Sequence, residues 1–181
     1  MGFVANLLSV GTLSQVLVGL SRTTILFIVS SGLTLILGVL RIPNVAHGSL
    51  YMLGAFSAWS VITVLGGGLS AFLAALLLAP LAVAAFGFLL ERGFFSRLYE
   101  REHLMLLLLT FSFALIIGDL VKIVWGAEFR SVTVPAFFQG SAEIFGLPLP
   151  YYNLFLLLVG PAIAVFLWLV INRTNIGKTA R

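Results

Sequence analysis

Residues 30–54 read S-S-G-L-T-L-I-L-G-V-L-R-I-P-N-V-A-H-G-S-L-Y-M-L-G and decide the fold of this chain. An uncharged apolar run ends at Leu40, and a second apolar run begins directly after a short polar break. The break contains Arg41, Pro43, Asn44, His47 and Gly48. Because lipid offers no partner to a bare N–H or C=O, irregular backbone at membrane depth must be buried in protein or line a wet cavity. The pattern therefore predicts two membrane helices joined by an irregular hinge.

The composition of the whole chain is that of an integral membrane protein. Of its 181 residues, 61% are hydrophobic and 9% are charged, and the mean hydropathy is +1.17, whereas soluble proteins are about 25% charged. Residues 23–40, 42–90 and 144–172 carry no charge, and one span needs only about 20 apolar residues. The ten cations are scattered, so they do not indicate a nucleic-acid-binding patch. The chain has no cysteine, which excludes disulfides and thiolate metal sites.

The apolar runs predict an all-α fold, a polytopic transmembrane helix bundle of about five spans with the hinge between the first two. We expect the spans at residues 14–40, 49–65, 69–90, 104–125 and 151–171. The first span is long, so it should tilt or be broken near Arg22. Residues 3–20 could instead form a span of their own or an amphipathic lead-in.

Small residues and helix breakers set the expected contacts and turns between these spans. Gly54 and Ala58 give the second span a face for close helix contact. Residues 66–68 are three glycines, which predict a tight turn, and Pro80 should kink the third span. Residues 126–150 contain several prolines and glycines and are too broken for a span.

The distribution of cations predicts the orientation, because Lys and Arg near span ends stay in the cytoplasm. With the amino terminus outside, the cytoplasmic side collects Arg41, Arg92, Arg97, Arg101, Arg173, Lys178 and Arg181. The outer side then has only Arg22, Lys122 and Arg130. Amphipathic aromatic residues prefer the membrane interface, and this orientation places Trp125, Tyr151 and Tyr152 at the outer one. We therefore expect a multi-pass protein of the plasma (inner) membrane with a cytoplasmic carboxyl terminus.

The hinge holds the candidate substrate path, since transporters often place their substrate site at a broken helix. Asn44 and His47 offer donors and acceptors to the ammonium and carboxylate of a zwitterion. The start of the second helix near Gly48 would point N–H groups and a positive dipole end toward a carboxylate. The alternative is that Asn44 and His47 satisfy the freed backbone groups of the hinge itself.

The remaining polar groups indicate a membrane protein without a catalytic site. Asp119 and Lys122 form a predicted intramembrane ion pair, which is either functional or a self-contained helix pair near the outer interface. No Walker, G-x-S-x-G or H-E-x-x-H motif is present. His103 beside Glu102 lacks a second metal ligand at helical spacing, so no metal site is expected.

Three segments of the chain, taken in order, form one recognisable pattern. The first is G-L-T-L-I-L-G-V-L-R-I-P-N-V-A-H-G-S-L-Y-M-L-G-A, starting at Gly32. The second is the basic loop E-R-G-F-F-S-R-L-Y-E-R-E-H from Glu91, and the third is N-R-T-N-I-G-K-T-A-R from Asn172. Together these segments resemble the N-terminal portion of the permeases of branched-chain amino acid ABC transporters. The resemblance covers nearly the whole chain and implies a single transmembrane permease domain over residues 1–181.

This resemblance also implies the partners of the chain. They are a second permease subunit, two cytoplasmic ATPases and an extracytoplasmic solute-binding protein, with ATP bound by the ATPases and no cofactor in this chain. The expected docking residues are Arg92, Arg97 and Arg101 of the basic loop, and Gly177, Lys178 and Arg181 of the tail. A basic loop is also fully explained as a topology signal. In the family, the tail opens a coupling helix followed by further spans, so we expect an incomplete permease.

Two other functions fit the same residues. The chain could be an ATP-independent channel or facilitator for a small polar solute such as urea or an amide. It could also be a truncated accessory membrane chain without transport of its own. An apolar wall for a branched side chain is available everywhere, so composition does not identify the substrate.

Overall fold

The structure is a computed structural model that describes residues 10–40, 44–99, 101–132, 135–144 and 147–173. Most of these residues lie in five long helices. They are α1 (Val10–Leu40), α2 (His47–Val64), α3 (Gly68–Gly93), α4 (His103–Trp125) and α5 (Tyr151–Arg173). Short 3-10 turns occupy Phe95–Arg97 and Ala136–Phe138. The predicted all-α class is confirmed, because the sheet found among the described residues is one small hairpin.

Four of the described helices are long and apolar enough to cross a membrane. They cover Gly11–Gly38, Gly68–Arg97, His103–Trp125 and Tyr151–Arg173. Helix α2 is not among them, since its 18 residues include His47, three serines and Thr63. It is about 27 Å long at 1.5 Å per residue, close to the thickness of about 30 Å of a bilayer core. The second predicted span, at residues 49–65, therefore stays a prediction that length alone supports.

Helix α1 corrects the expected start of the first span. The helix runs without interruption from Val10 to Leu40, so the first span is not broken near Arg22, and residues 10–20 are continuous with it rather than a separate span. The alternative expectation, that this long span tilts, stays a prediction. Arg22 stays exposed, which lets its long side chain extend toward the membrane surface without disturbing the backbone. At 31 residues the helix is about 46 Å long, longer than the bilayer core. Residues 3–9 lie outside the described part of the chain.

The chain divides into two compact units, which are described separately. The terminal unit comprises Met1–Val39 and Phe137–Arg181, and the central unit comprises Leu40–Ala136. In the terminal unit, α1 and α5 approach closely where Thr24 faces Gly160. Thr24 is 7% exposed, and Gly160 and Leu156 are buried on the facing side of α5. The absence of a side chain at Gly160 allows this close approach.

A β-hairpin precedes α5 in the terminal unit and was not predicted. Strand β1 (Ser141–Ile144) pairs antiparallel with β2 (Leu147–Pro150), with Ser141 opposite Pro150. Pro148 and Pro150 alternate with leucines, and proline is tolerated because each strand of a two-stranded sheet is an edge strand. Leu149 is 2% exposed, which gives the hairpin one buried face. The prediction that no span lies in this region agrees with the described residues.

The three glycines at residues 66–68 form the tight turn that the sequence predicts. All three have positive φ angles, from 74° to 85°, a region that favours glycine. The amide of Gly66 donates to Thr63 O at 3.3 Å, and that of Gly67 donates to Ile62 O at 2.9 Å. These two bonds make a Schellman motif that ends α2. The chain then reverses into α3.

Helix α3 packs on α2 through small residues. Ala71, Ala75 and Ala79 recur every four residues and are at most 5% exposed. A Cβ atom added at Gly54 of α2 would lie 3.4 Å from Cγ2 of Val83, which confirms the predicted close contact at this glycine. Pro80 lies inside α3 without ending it.

Helices α2 and α4 run parallel and are joined by three polar contacts. Val45 N donates to Thr110 Oγ1, Ser49 Oγ donates to Ala114 O, and Trp125 Nε1 donates to Ser60 Oγ. Each contact joins residues 65 positions apart, so the two helices keep one register along all of α2. The partners in α4 explain how α2 can be less apolar than the other helices.

Candidate functional site

The hinge before α2 is a hydrogen-bonded turn, and the side chain of Asn44 caps its backbone. Residues 44–46 are not helical, and α2 begins at His47. Oδ1 of Asn44 accepts a hydrogen bond from Ala46 N at 3.1 Å, and the carbonyl oxygen of Asn44 accepts from His47 N at 3.2 Å. A side-chain oxygen bonding the amide two residues on is an Asx turn. Asn44 therefore makes the contact expected if its role is to satisfy the backbone of the hinge rather than to bind solute. Arg41 and Pro43 lie outside the described residues.

Thr110 of α4 forms a hydrogen bond with the backbone of this turn. Its Oγ1 accepts a hydrogen bond from Val45 N at 3.4 Å and donates to Leu107 O at 2.9 Å. The Thr110 side chain is 1% exposed, so the Val45 amide has little access to water as a substitute partner. The sequence analysis missed Thr110. Thr110 and Ser112 are both hydroxyl residues of the apolar run L-L-L-L-T-F-S-F, so the sequence carries no signal that singles out Thr110.

The first turn of α2 borders open space. A Cβ atom added at Gly48 would have no heavy atom within 4 Å, and Gly48 is exposed. His47 and Asn44 are half-buried beside it. The first amides of a helix have no intrahelical acceptor, and this end carries partial positive charge. The first of these amides, His47 N, already donates to Asn44 O, so a carboxylate would be bound by the amides that follow it. The arrangement can hold a carboxylate in front of the helix, with the imidazole and amide of the two neighbouring side chains at its edge.

Asp119 and Lys122 lie together on the exposed face of α4. Nζ of Lys122 is 3.1 Å from Oδ1 of Asp119. Both side chains are largely exposed, Lys122 at 64% and Asp119 at 71%. A spacing of three residues on one helix makes this a local pair. The geometry fits the interpretation of a self-contained helix pair.

A tyrosine hydroxyl links the basic loop between α3 and α4 to the last turns of α3. Tyr99 Oη donates a hydrogen bond to Oε1 of Glu91, and partial burial, together with this bond, raises the pKa of the Tyr99 hydroxyl above its ordinary value. The side chains of the three expected docking cations stay exposed; they are Arg92, Arg97 and Arg101. The other expected docking residues, Gly177, Lys178 and Arg181, lie outside the described residues.

A second polar cluster, which the sequence did not reveal, joins the carboxyl-terminal ends of α2 and α4. Trp125 Nε1 lies 2.6 Å from Ser60 Oγ, and Nη2 of Arg130 donates to Trp125 O at 3.1 Å. The Arg130 guanidinium lies 5.0 Å from the centre of the Trp59 ring, which is cation–π distance. Arg130 thus caps the carboxyl end of α4 and fixes the ends of both helices.

Comparison with known proteins gives one family. Residues 15–181 match the model of the family described as Branched-chain amino acid transport system / permease component. No solved structure matches the chain. Among the described residues, no group of three His, Cys, Asp or Glu side chains could hold a metal ion.

Several curated relatives carry names that agree with this family. The chain is 25% identical over 177 residues to the high-affinity branched-chain amino acid transport system permease protein BraD of Pseudomonas aeruginosa, covering 93% of this chain and 58% of BraD. It is 25% identical over 134 residues to LivH of Salmonella typhimurium and 23% identical to LivH of Escherichia coli, each covering 71% of this chain and 43% of the relative. The chain therefore spans about half the length of these relatives.

Proposed function

The chain belongs to the family of permease components of branched-chain amino acid transport systems, and from this premise we propose that it forms part of the translocation path of an ABC importer. The solutes are branched-chain amino acids or similar small polar molecules. The family match from residue 15 to residue 181 carries this proposal. The relatives' names state that their systems transport branched-chain amino acids with high affinity.

The proposed path runs past the hinge at Asn44, His47 and Gly48. Open space at Gly48 supports room for a solute. The amides and positive dipole end of α2 favour a carboxylate, and His47 supplies a hydrogen-bonding group beside it. Because Asn44 Oδ1 already caps Ala46 N, its contribution to solute binding would come from the amide nitrogen.

The proposed partners follow from the ABC transporter architecture. A second permease subunit would complete the path, and an extracytoplasmic binding protein would deliver the solute. Two cytoplasmic ATPases would bind ATP, so this chain needs no cofactor. The exposed cations Arg92, Arg97 and Arg101, with Gly177, Lys178 and Arg181 of the tail, are the proposed ATPase-docking residues.

Leucine uptake is the measurement that tests the transport proposal. Deleting the coding region of this chain in its own host is expected to reduce uptake of radiolabelled leucine at low concentration to background. A plasmid copy should restore it, and depletion of cellular ATP should abolish the restored uptake. Lysine uptake is the control and should not change. Normal leucine uptake together with lost urea or amide uptake would favour the ATP-independent facilitator.

Cysteine labelling tests the proposed orientation, with the amino terminus outside and the carboxyl terminus cytoplasmic. The chain has no native cysteine, so single cysteines can replace Ser96, Ser141 or Thr179 without background. In intact cells, an impermeant thiol reagent is expected to label only Ser141→Cys. Ser96 and Ser141 are both exposed, which makes them a matched pair. Labelling of Ser96→Cys in sealed cells would reverse the orientation.

A further inference from the structure

The terminal unit contains a groove between the carboxyl-terminal halves of α1 and α5. Its volume is about 540 Å³. Bulky apolar side chains form most of its wall, among them Phe27, Leu35, Leu167, Trp168 and Ile171. Gly38 and Ala164 widen it because they have little or no side chain. The site is distinct from the hinge, which belongs to the central unit.

The length of the groove matches one leaflet of a membrane. On α1 the lining residues extend from Phe27 to Gly38, which is about 16 Å at 1.5 Å per residue. Half of a bilayer core of about 30 Å is about 15 Å. The groove therefore has the length of a lipid acyl chain in one leaflet, at the end of the unit where α5 finishes at Arg173.

Three of the four polar side chains in the wall, all but Ser30, donate hydrogen bonds within their own helices. Ser31 Oγ donates to Ile28 O at 2.8 Å, and Thr34 Oγ1 donates to Ser30 O at 2.8 Å. Asn172 Nδ2 donates to Trp168 O at 3.0 Å. The hydroxyl hydrogens and this amide hydrogen thus point into helix carbonyls, and the groove presents a hydrocarbon-like surface. Such a wall fits an acyl chain better than a zwitterionic solute.

A cation lies where the headgroup of such a lipid would be. Arg173 ends α5 directly after Asn172, a residue of the groove wall. Its side chain is exposed, and it makes no ion pair with any described residue. We propose that this groove binds one acyl chain of an anionic phospholipid whose phosphate is held by Arg173. Arginine suits this role because its guanidinium binds phosphate oxygens in a bidentate manner, and basic sites between transmembrane helices bind anionic headgroups.

Trp168 reports directly on this lipid. In a Trp59→Phe/Trp125→Phe variant, Trp168 is the only tryptophan left in the chain. The protein would be reconstituted into mixed vesicles with bromine-labelled acyl chains on either phosphatidylglycerol or phosphatidylcholine. We expect the apparent affinity for phosphatidylglycerol to be about fivefold higher, the ratio that corresponds to about 1 kcal/mol for one cation at the membrane surface. Arg173→Gln should abolish the preference, and Arg92→Gln, a matched exposed cation of the other unit, should not.

Two further results separate the possible occupants of the groove. Gly38→Leu should reduce quenching because it fills the groove, whereas Gly19→Leu, also in open space on α1, should not. Equal quenching by both lipids would overturn the role of Arg173. Trp168 shielded from both lipids would show that protein covers the groove. If the double tryptophan variant does not fold, native mass spectrometry of the unaltered chain should retain phosphatidylglycerol over phosphatidylcholine, and Arg173→Gln should lose it.

Discussion

Replacing Gly160 by alanine is expected to destabilise the protein by about 1–3 kcal/mol, the usual cost of adding atoms to a packed contact. The new Cβ atom would lie 2.9 Å from Oγ1 and 3.1 Å from Cγ2 of Thr24. Both atoms belong to one β-branched side chain that is buried, so rotation cannot move both away. Helices α1 and α5 must then separate. Thermal unfolding of the purified protein in detergent measures the effect.

A second substitution should reverse this loss. In the double variant Thr24→Ala/Gly160→Ala, the nearest remaining Thr24 atom is Cβ, at 3.5 Å from the added carbon, an ordinary contact. The double variant should therefore be more stable than Gly160→Ala alone. Gly19→Ala is the control, because its added carbon meets nothing within 4 Å and alanine favours a helix. Equal stability of Gly160→Ala and Gly19→Ala would contradict the close contact.

The sequence predicts most of the helices because their signals are local. Apolar runs longer than a bilayer needs, separated by glycine or polar breaks, determine where the long helices lie. The turn at residues 66–68 follows from backbone freedom alone, since three successive positive φ angles are easy only for glycine. Of the two expectations for the first span, a tilt or a break near Arg22, the break is excluded because one cation does not interrupt hydrogen bonding within α1. A charge in a long helix is accommodated by its flexible side chain.

Contacts between helices were not predictable from the same signals. Gly160 and Thr24 are unremarkable in sequence, and their importance appears only when α1 and α5 are placed side by side. Thr110 likewise becomes informative only through Val45, 65 residues away. The hairpin at residues 141–150 is short and rich in proline, so its strands lack the usual residue preferences. When a helix is apolar on every face, its hydrophobic periodicity does not show which face contacts another helix. Contacts between helices distant in the chain therefore cannot be identified from the sequence pattern.

The contacts of Thr110 change the interpretation of the hinge. Sequence alone leaves open whether the break before α2 is a loose loop or a fixed turn. Hydrogen bonds from Val45, Ala46 and His47 amides to fixed acceptors make it a fixed turn in the described residues. A fixed turn holds in place the amides that follow His47 in the first turn of α2, as a binding site for a carboxylate requires. Cap and path roles are thus compatible, and different side chains can fill them.

Replacing His47 by alanine is expected to reduce solute uptake by the assembled transporter about ten- to hundredfold, since hydrogen bonds to charged groups contribute about 1.5–3 kcal/mol. The prediction rests on the proposed path past Asn44, His47 and Gly48. Membrane abundance should stay near that of the unaltered protein, because the backbone amide of His47 keeps its bond to Asn44 O. Radiolabelled leucine uptake, normalised to abundance by immunoblot, provides the measurement.

Five further variants distinguish the path from the cap. Gly48→Leu should fold and yet block uptake, because it enters open space beside the hinge, whereas Gly118→Leu, equally free of neighbours within 4 Å, should transport normally.

Asn44→Ala should lower abundance along with uptake, while Asn44→Asp keeps an acceptor oxygen for Ala46 N and should restore abundance. Thr110→Val should also lower abundance, since it removes the acceptor of the Val45 amide at a similar volume. If His47→Ala loses abundance and uptake in equal proportion, His47 is a structural residue of the hinge and the solute passes elsewhere.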